Sequence, residues 1–358
     1  MRKLVNYTAV LVPLLVAAAG CTQDALPLGP HAVVGAEAAP GLMLPSTIQD
    51  LLALEAGPVA IAHRGMGTNL GEDATRPIEN TLAAVRAGFA AGASVVEVDL
   101  ATTADGKVVA WHEDFLPDRT CFNTLTRDEL TARAPHIPSF ESVLQTARRV
   151  NRSNPDRLAG LLTVDIKPPS PLCDPSDTGE AGIIDAVVAV VRNMNATDLI
   201  YFNSMSPVML SLAAQRAPEI PRQLTLIVLQ FLSPEQIEAA LGLPVVPISK
   251  APQFGLQWAE VGHLHRLPGY TSPQQAIGIA HAVGAQMISY DLRLLGQMEQ
   301  MQPGSAAQLV GATKATGLHA FGGDVAEPQH WLFGAAIGLD ALYADAVELA
   351  VGMQGELE

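Results

Sequence analysis

Short apolar runs that alternate with longer helical patterns, from residue 59 to residue 343, constrain the fold of this chain more than any other feature. Apolar runs of about four to eight residues are typical of buried strands, whereas longer stretches with helical spacing are typical of amphipathic helices. Strands that alternate with helices form mostly parallel sheets with crossover helices, so the pattern predicts an α/β fold. The strand candidates are residues 59–62, 94–100, 107–111, 161–166, 199–202, 223–229, 286–290, 318–321 and 341–343.

An eight-stranded TIM (β/α)8 barrel is the architecture that this alternation favours, as a single domain over residues 57–350. Such barrels take about 250 residues, which leaves room for additions here. A doubly wound open sheet is the alternative. No GxGxxG motif follows the first strand candidate, which argues against a Rossmann site. Residues 244–272 show no clear period and are expected to form an elaborated loop.

The N-terminus has the pattern of a bacterial lipoprotein signal. Arg2 and Lys3 precede the apolar run 9–20, which is shorter than the ~20 residues of a membrane-spanning helix. The small residues directly before Cys21 resemble a lipobox, in which the cysteine becomes acylated. We therefore expect a signal peptide over 1–20, a lipid-anchored linker over 21–56 and a place in the bacterial cell envelope, on the periplasmic or cell-surface side. An ordinary signal peptide with a chance cysteine is the alternative.

Within that linker, a short helix around residues 48–55 is expected to close the bottom of the barrel. No second run of eighteen apolar residues follows, so no transmembrane helix is predicted.

Composition excludes several classes of partner. The chain has 36 acidic and 21 basic side chains and a formal net charge of −15, so it repels a nucleic-acid backbone. Three cysteines exclude a four-cysteine zinc site and a disulfide-dense scaffold. Cys121 and Cys173 are expected in loops at one end of the fold, where a disulfide and two free thiols are both open. The expected partners are a small-molecule substrate and the membrane, and no protein partner is evident.

Ionisable residues lie at the ends of four consecutive strand candidates. A (β/α)8 barrel carries its chemistry at the carboxyl ends of the strands. Charged side chains are rarely fully buried there unless they are paired or bind a metal. The sequence therefore predicts an active site built from His63, Arg64, Glu97, Asp99, His112, Asp165 and Lys167.

Three of these residues are predicted to bind a metal ion. Glu97 and Asp99 lie two residues apart on a strand, so both point to the same face of the sheet, inward in a barrel. Two inward carboxylates repel each other unless a cation lies between them. Asp165 adds a third oxygen, and an all-oxygen set favours Ca²⁺ or Mg²⁺ over zinc. The alternative is a structural ion-pair network with Arg64 and Lys167.

The remaining residues suit phosphate chemistry. His63 and His112 come from different strands and form a candidate acid/base pair, since histidine transfers protons near neutral pH. Arg64 and Lys167 beside a divalent metal imply an anionic group, most simply a phosphate. These residues predict metal-assisted hydrolysis of a phosphodiester. The His-Leu-His segment at 263–265 is expected to be a solvated loop rather than a second metal site.

At these residues the sequence resembles the glycerophosphodiester phosphodiesterase family, within the PLC-like phosphodiesterase superfamily. The resemblance implies a TIM barrel, Ca²⁺ or Mg²⁺ on Glu97, Asp99 and Asp165, and acid/base roles for His63 and His112. It also implies that Arg64 and Lys167 bind phosphate. The motifs that carry it are His63-Arg64-Gly65, Glu79-Asn80-Thr81, residues 92–99, residues 105–109, His112 and Asp165-Ile166-Lys167.

The implied reaction cleaves a glycerophosphodiester to sn-glycerol 3-phosphate and an alcohol, through attack of the substrate's own glycerol hydroxyl on phosphorus. The opening motif, continued by Gly67 and Asn69, looks most like the branch that acts on glycerophosphocholine. The chain departs from the family at Glu113, where aspartate is usual, at Asp165, where glutamate is usual, and at residues 321–324, which replace Trp-Thr-Val-Asn. A lysophospholipase D or sphingomyelinase D type of enzyme and a non-catalytic lipoprotein that binds head groups are the alternatives.

Overall fold

Eight parallel strands close into a barrel within residues 47–53, 57–153 and 160–357, the part of the chain that the computed structural model describes. The predicted signal peptide, Cys21 and linker residues 21–46 and 54–56 lie outside the described residues. The strands are β1 (Val59–Ala62), β2 (Val95–Thr102), β3 (Val108–Ala110), β4 (Leu161–Ile166), β5 (Ile200–Ser204), β6 (Arg222–Leu226), β7 (Val245–Ile248), β8 (Gln257–Val261), β9 (His265–Gly269), β10 (Met287–Asp291), β11 (His319–Val325) and β12 (Ala341–Ala344).

Around the barrel the strand order is β1-β12-β11-β10-β6-β5-β4-β2, and β2 pairs with β1 to close the ring. The predicted TIM barrel is therefore confirmed, and the open sheet is excluded.

The helices are α1 (Ile48–Leu52), α2 (Leu82–Ala90), α3 (Arg127–Arg133), α4 (Phe140–Ser153), α5 (Glu180–Asn193), α6 (Pro207–Arg216), α7 (Pro234–Leu241), α8 (Pro273–Ala282), α9 (Leu292–Met301), α10 (Ser305–Ala315), α11 (Pro328–Ala336) and α12 (Val347–Leu357).

Alternation along β2 decides which side chains reach the barrel interior. Val96 and Val98 are fully buried in a cluster with Phe89 of α2 and other helix residues, so they face outward onto the helices. Since neighbouring residues on a strand point to opposite faces, Glu97 and Asp99 point inward, as expected. The burial of these carboxylates is thus a consequence of the apolar residues that alternate with them along the strand.

The amino end of the barrel is closed by α1. Ile48 and Leu51 pack in one cluster with barrel residues such as Ile61 and Tyr201, and the Ile48 N–H donates to the Asp198 carbonyl at 2.9 Å. Thr47 is the N-cap of this helix, and its capping box satisfies the first N–H groups. The short helix expected to close the bottom of the barrel is present.

Two expectations are wrong. The strand candidate before His112, here β3, is not a barrel strand, because it pairs antiparallel with β2 and returns the chain toward the site. The hairpin forms because β2 continues past the barrel to Thr102, and Gly106 at φ 71° then reverses the chain.

Residues 244–272 are not a loop, since β7, β8 and β9 form a three-stranded antiparallel sheet there. Its short strands carry prolines and charges, so they lack the apolar run that marks a barrel strand.

No helix in the described part of the chain combines the length and the apolar character that a membrane crossing requires.

Candidate active site

The seven predicted site residues come together at the carboxyl ends of the barrel strands. His63 and Arg64 follow β1, Glu97 and Asp99 lie on β2, Asp165 lies near the end of β4, Lys167 directly follows β4, and His112 follows β3. His112 arrives by the hairpin rather than by a barrel strand. The N–H of Trp111, just before it, donates to the Asp99 carbonyl at 3.0 Å, which fixes His112 beside the carboxylates.

The three predicted ligand carboxylates form one buried group. Glu97, Asp99 and Asp165 each offer an oxygen, and these oxygens lie within 4.8 Å of one another. Burial, together with the nearby Asp99 carboxylate, raises the pKa of Glu97 to about 8. Asp165 Oδ1 is buried without a hydrogen-bond partner among the described residues. A hard divalent cation would satisfy that oxygen and relieve the repulsion, so the donor set fits Ca²⁺ or Mg²⁺.

Two cations lie against the same group. The Lys167 ammonium contacts the Asp99 carboxylate and lies 3.2 Å from Asp165 Oδ2. Arg64 Nε lies 3.6 Å from Asp99 Oδ2, and its Nη1 donates to Glu79 at 2.8 Å. Although burial opposes it, Lys167 holds the pKa of Asp99 well below its ordinary value. The predicted ion-pair network is therefore present on the same residues as the candidate metal group.

The His-Arg-Gly turn after β1 requires a glycine at its third position. Arg64 adopts φ 49° and Gly65 φ 91°, so the chain turns sharply and the Arg64 N–H donates to Glu97 Oε2 at 2.6 Å. A Cβ on Gly65 would lie 2.7 Å from Ala84 of α2, so only glycine fits. The turn places the His63 imidazole and the Arg64 N–H next to the same oxygen of the Glu97 carboxylate.

His63 is held by residues from the last strands. Its Nδ1 lies 2.8 Å from Asp345 Oδ1, and its Nε2 lies 4.0 Å from Glu97 Oε2. The Thr68 N–H donates to the same Asp345 oxygen at 3.0 Å and fixes the carboxylate. Burial alone would lower the pKa of His63, but Asp324 and Asp345 outweigh it and raise that pKa to about 10. The imidazole is thus oriented with Nε2 toward the carboxylate group.

His112 has a carboxylate partner of its own. Its Nδ1 lies 3.1 Å from Glu113 Oε1. Burial opposes ionisation of Glu113, but the neighbouring His112 lowers the pKa of this carboxyl to about 2. Glutamate in the place of the usual aspartate therefore supplies a carboxylate to the histidine in this chain.

Sequence reasoning missed the roles of two supporting residues. Asn80, at φ 58°, donates from Nδ2 to Asp99 Oδ2 at 2.8 Å and accepts from the Asp99 N–H at 2.9 Å. Asp345 is the second, through its contact with His63 Nδ1. Their places in the sequence could have indicated both roles. Asn80 lies in the Glu79-Asn80-Thr81 motif, and Asp345 directly follows the last barrel strand, β12.

The His-Leu-His segment is solvated at one residue only. His263 is 71% exposed, as expected, but His265 begins β9 and lines a cavity with His112, Glu113 and Lys167. The expectation is therefore wrong for His265, because ordered strand pairing holds this part of the chain over the site.

Cys121 and Cys173 form a disulfide, with a Cα–Cα distance of 5.5 Å. The bond joins the segment after β3 to the segment after β4, and both segments border the site. Of the two arrangements that the sequence left open, the structure contains the paired one.

Comparison with known proteins agrees with this geometry. A model of the glycerophosphoryl diester phosphodiesterase family matches residues 63–348. No significant match was found among curated proteins.

Solved structures share the fold at low sequence identity. A Silicibacter pomeroyi protein named as a glycerophosphoryl diester phosphodiesterase has a TM-score of 0.60 and 18% identity, over 86% of this chain and 98% of that one. An Oleispira antarctica phosphodiesterase in complex with the product sn-glycerol-3-phosphate has a TM-score of 0.55 and 18% identity, over 84% and 97%. A Thermotoga maritima glycerophosphodiester phosphodiesterase has a TM-score of 0.54 and 16% identity, over 84% and 100%. Because the family model covers most of the chain and the site residues converge at one end of the barrel, this protein is an enzyme that belongs to the glycerophosphoryl diester phosphodiesterase family.

Proposed function

We propose that this enzyme hydrolyses glycerophosphodiesters, glycerophosphocholine among them, to sn-glycerol 3-phosphate and an alcohol. The observation that carries the proposal is the pair His63 and His112 next to a buried carboxylate group with two adjacent cations. The Oleispira antarctica phosphodiesterase, which shares the fold, has been solved with sn-glycerol-3-phosphate bound, and this supports the same product here.

Glu97, Asp99 and Asp165 would hold the metal ion, Ca²⁺ or Mg²⁺. When bound, such an ion offsets the charge that develops on the phosphoryl oxygens. Lys167 and Arg64 lie at the edge of the carboxylate group, with side chains 19% and 17% exposed, so each can also meet an anionic substrate. We assign phosphate binding to both cations.

The two histidines would transfer the protons. In the first step one imidazole takes the proton of the attacking glycerol hydroxyl, and the other protonates the departing alkoxide. A water then opens the cyclic phosphate with the two roles reversed. Asp345 on His63 and Glu113 on His112 each hold an Nδ1, which leaves both Nε2 atoms for substrate.

The test is release of sn-glycerol 3-phosphate from glycerophosphocholine, with Ca²⁺, with Mg²⁺ and with EDTA. We expect metal-dependent release, and its loss in His63→Ala and in His112→Ala while circular dichroism shows both variants folded. His263→Ala is the matched control, because His263 is an exposed histidine outside the site. Turnover by either site variant at the parent rate would contradict the assigned roles. Release of choline from lysophosphatidylcholine, with none from glycerophosphocholine, would favour the lipid-cleaving alternative.

We further propose that the enzyme is anchored to the cell envelope through acylated Cys21. The lipobox-like sequence supports this, and so does the Cys121–Cys173 disulfide, since disulfides persist in oxidising compartments. The test is incorporation of labelled palmitate. We expect the label in the parent and none in Cys21→Ser, and unlabelled parent protein would contradict the anchor.

A further inference from the structure

A small cavity lies beside His112, on the side away from His63. It has a volume of about 50 Å³, and its lining is mostly apolar but includes the polar residues His112, Glu113, Lys167, Ser170 and His265. His63 and its partners are not among the lining residues, because they belong to β1, β11 and β12 across the barrel mouth. We call this space the His112–His265 cavity.

The sheet β7–β8–β9 supplies His265. This sheet is inserted between β6 and β10 of the barrel, and β8 and β9 are joined by a tight turn in which His263 adopts φ 57°. Leu264, directly after it, is 6% exposed and anchors the turn, and His265 then pairs with Val261 in the ladder. The insertion thus delivers an imidazole to the cavity from outside the barrel.

The neighbouring Arg266 holds the insertion in place. It is 5% exposed, and its Nη2 donates to the Asp174 carbonyl at 2.7 Å. Its Nη1 lies 3.1 Å from Asp177 Oδ1. These partners hold the buried guanidinium in one orientation, because every N–H left without an acceptor would cost free energy.

The other walls of the cavity are joined to one another. The Ser170 N–H donates to Asp114 Oδ2 at 2.9 Å, and the Cys121–Cys173 disulfide joins the same two segments. The cavity is therefore a fixed space between three linked segments rather than a gap beneath a loose loop.

We propose that His265 is a substrate-binding residue whose imidazole hydrogen-bonds the terminal hydroxyl of the glycerol moiety, which reaches into the His112–His265 cavity. The inference rests on the proposed function. In that reaction phosphorus lies between His63 and His112, so one arm of the diester extends past His112 into this space.

The size and chemistry of the cavity suit the glycerol arm. About 50 Å³ admits one or two small polar groups, given that a water takes about 30 Å³ in the liquid. A small, fixed space with a few polar groups among apolar residues fits the terminal hydroxymethyl group that every glycerophosphodiester shares, and not the alcohol, which varies. Burial lowers the pKa of His265, although Glu113 opposes this, and a neutral imidazole both donates and accepts, as a hydroxyl does.

The test compares two ligands that differ only in hydroxyls: sn-glycerol 3-phosphate and propyl phosphate. Calorimetry gives the dissociation constant of each for the parent, His265→Ala, His265→Gln and His263→Ala. For His265→Ala we expect about five- to tenfold weaker binding of sn-glycerol 3-phosphate, the size of one neutral hydrogen bond, and less than a twofold change for propyl phosphate. The glutamine, which keeps a donor and an acceptor, should recover part of the loss. His263→Ala, two residues away in the same turn, should match the parent.

Kinetics provide the second readout. With glycerophosphocholine, His265→Ala should raise KM more than it lowers kcat, whereas a general disturbance of the site would lower both. Equal weakening of both ligands, or no weakening of either, would overturn the role of His265. If the parent hydrolyses glycerophosphocholine while His265→Ala behaves as the parent, this inference alone fails. If the parent neither hydrolyses the diester nor binds sn-glycerol 3-phosphate, the proposed function fails, and this inference fails with it.

Discussion

Replacing Asp345 by Asn tests how the last strand controls the first histidine. The variant keeps the size of the side chain and an oxygen that can still accept from the Thr68 N–H, but it removes the negative charge 2.8 Å from His63 Nδ1. Both side chains are mostly buried, 17% exposed for His63 and 25% for Asp345, so solvent screens the interaction only in part. We expect the pKa of His63 to fall as a result.

The magnitude follows from the contact. A hydrogen bond between charged partners contributes about 1.5 to 3 kcal/mol. If that stabilisation acts in the transition state, each 1.36 kcal/mol is a factor of ten in rate, so Asp345→Asn should lower kcat by roughly 10- to 150-fold. KM should change little, because Asp345 touches the histidine and not the substrate.

The assay is the pH profile of kcat on glycerophosphocholine at saturating metal. The limb of the profile that reports His63 should move to lower pH in Asp345→Asn, since the carboxylate that favours imidazolium is gone. Glu348→Gln is the control, because it removes the same charge from an exposed position three residues later. A kcat within twofold of the parent, with an unmoved profile, would refute the positioning role of Asp345.

Three further predictions concern the metal group and the disulfide. Asp165→Glu should preserve or tighten metal binding in a calorimetric titration, and a total loss of binding and activity would mean that Asp165 is not a ligand. Because the pKa of Glu97 is raised to about 8 in the metal-free protein, this carboxyl is largely protonated at pH 6; metal binding should then release about one proton there, and affinity should rise toward pH 8. Calorimetry in buffers of different ionisation enthalpy measures that proton, and a pH-independent affinity would contradict the linkage. Replacing Cys121 and Cys173 together by Ser removes a cross-link over 52 residues and should lower the free energy of unfolding by up to about 4 kcal/mol in urea titrations, while an unchanged unfolding midpoint would show that the link contributes nothing.

The catalytic end of the barrel was largely predictable from local pattern. Apolar residues at 96 and 98 already require Glu97 and Asp99 to share the opposite face, and the structure buries both at 2% exposure. Parallel strands have their carboxyl ends at the same end of the barrel, so Asp165 was expected to lie beside Glu97 and Asp99. These inferences use only the alternation of side chains along a strand and the parallel direction of strands joined by crossover helices, which nearby residues specify.

Partnerships between distant residues were not predictable in the same way. His63 and Asp345 are 282 residues apart, and closure of β12 onto β1 alone brings them together. His265 was taken for part of a solvated loop because short strands with prolines and charges carry no apolar period. Only pairing with β8 and the buried Arg266 order that segment over the site.

The sequence by itself determined the alternation of strands and helices, the shared face of Glu97 and Asp99 on β2 and the residue types of a phosphodiesterase site, because these are properties of neighbouring residues. The tertiary structure decided that β3 turns back toward the site, that Asp345 orients His63, and that an inserted sheet sets His265 beside His112. Those outcomes depend on ring closure and on burial of groups from separate segments, and no local stretch of the chain encodes a contact that forms only when the ring is complete.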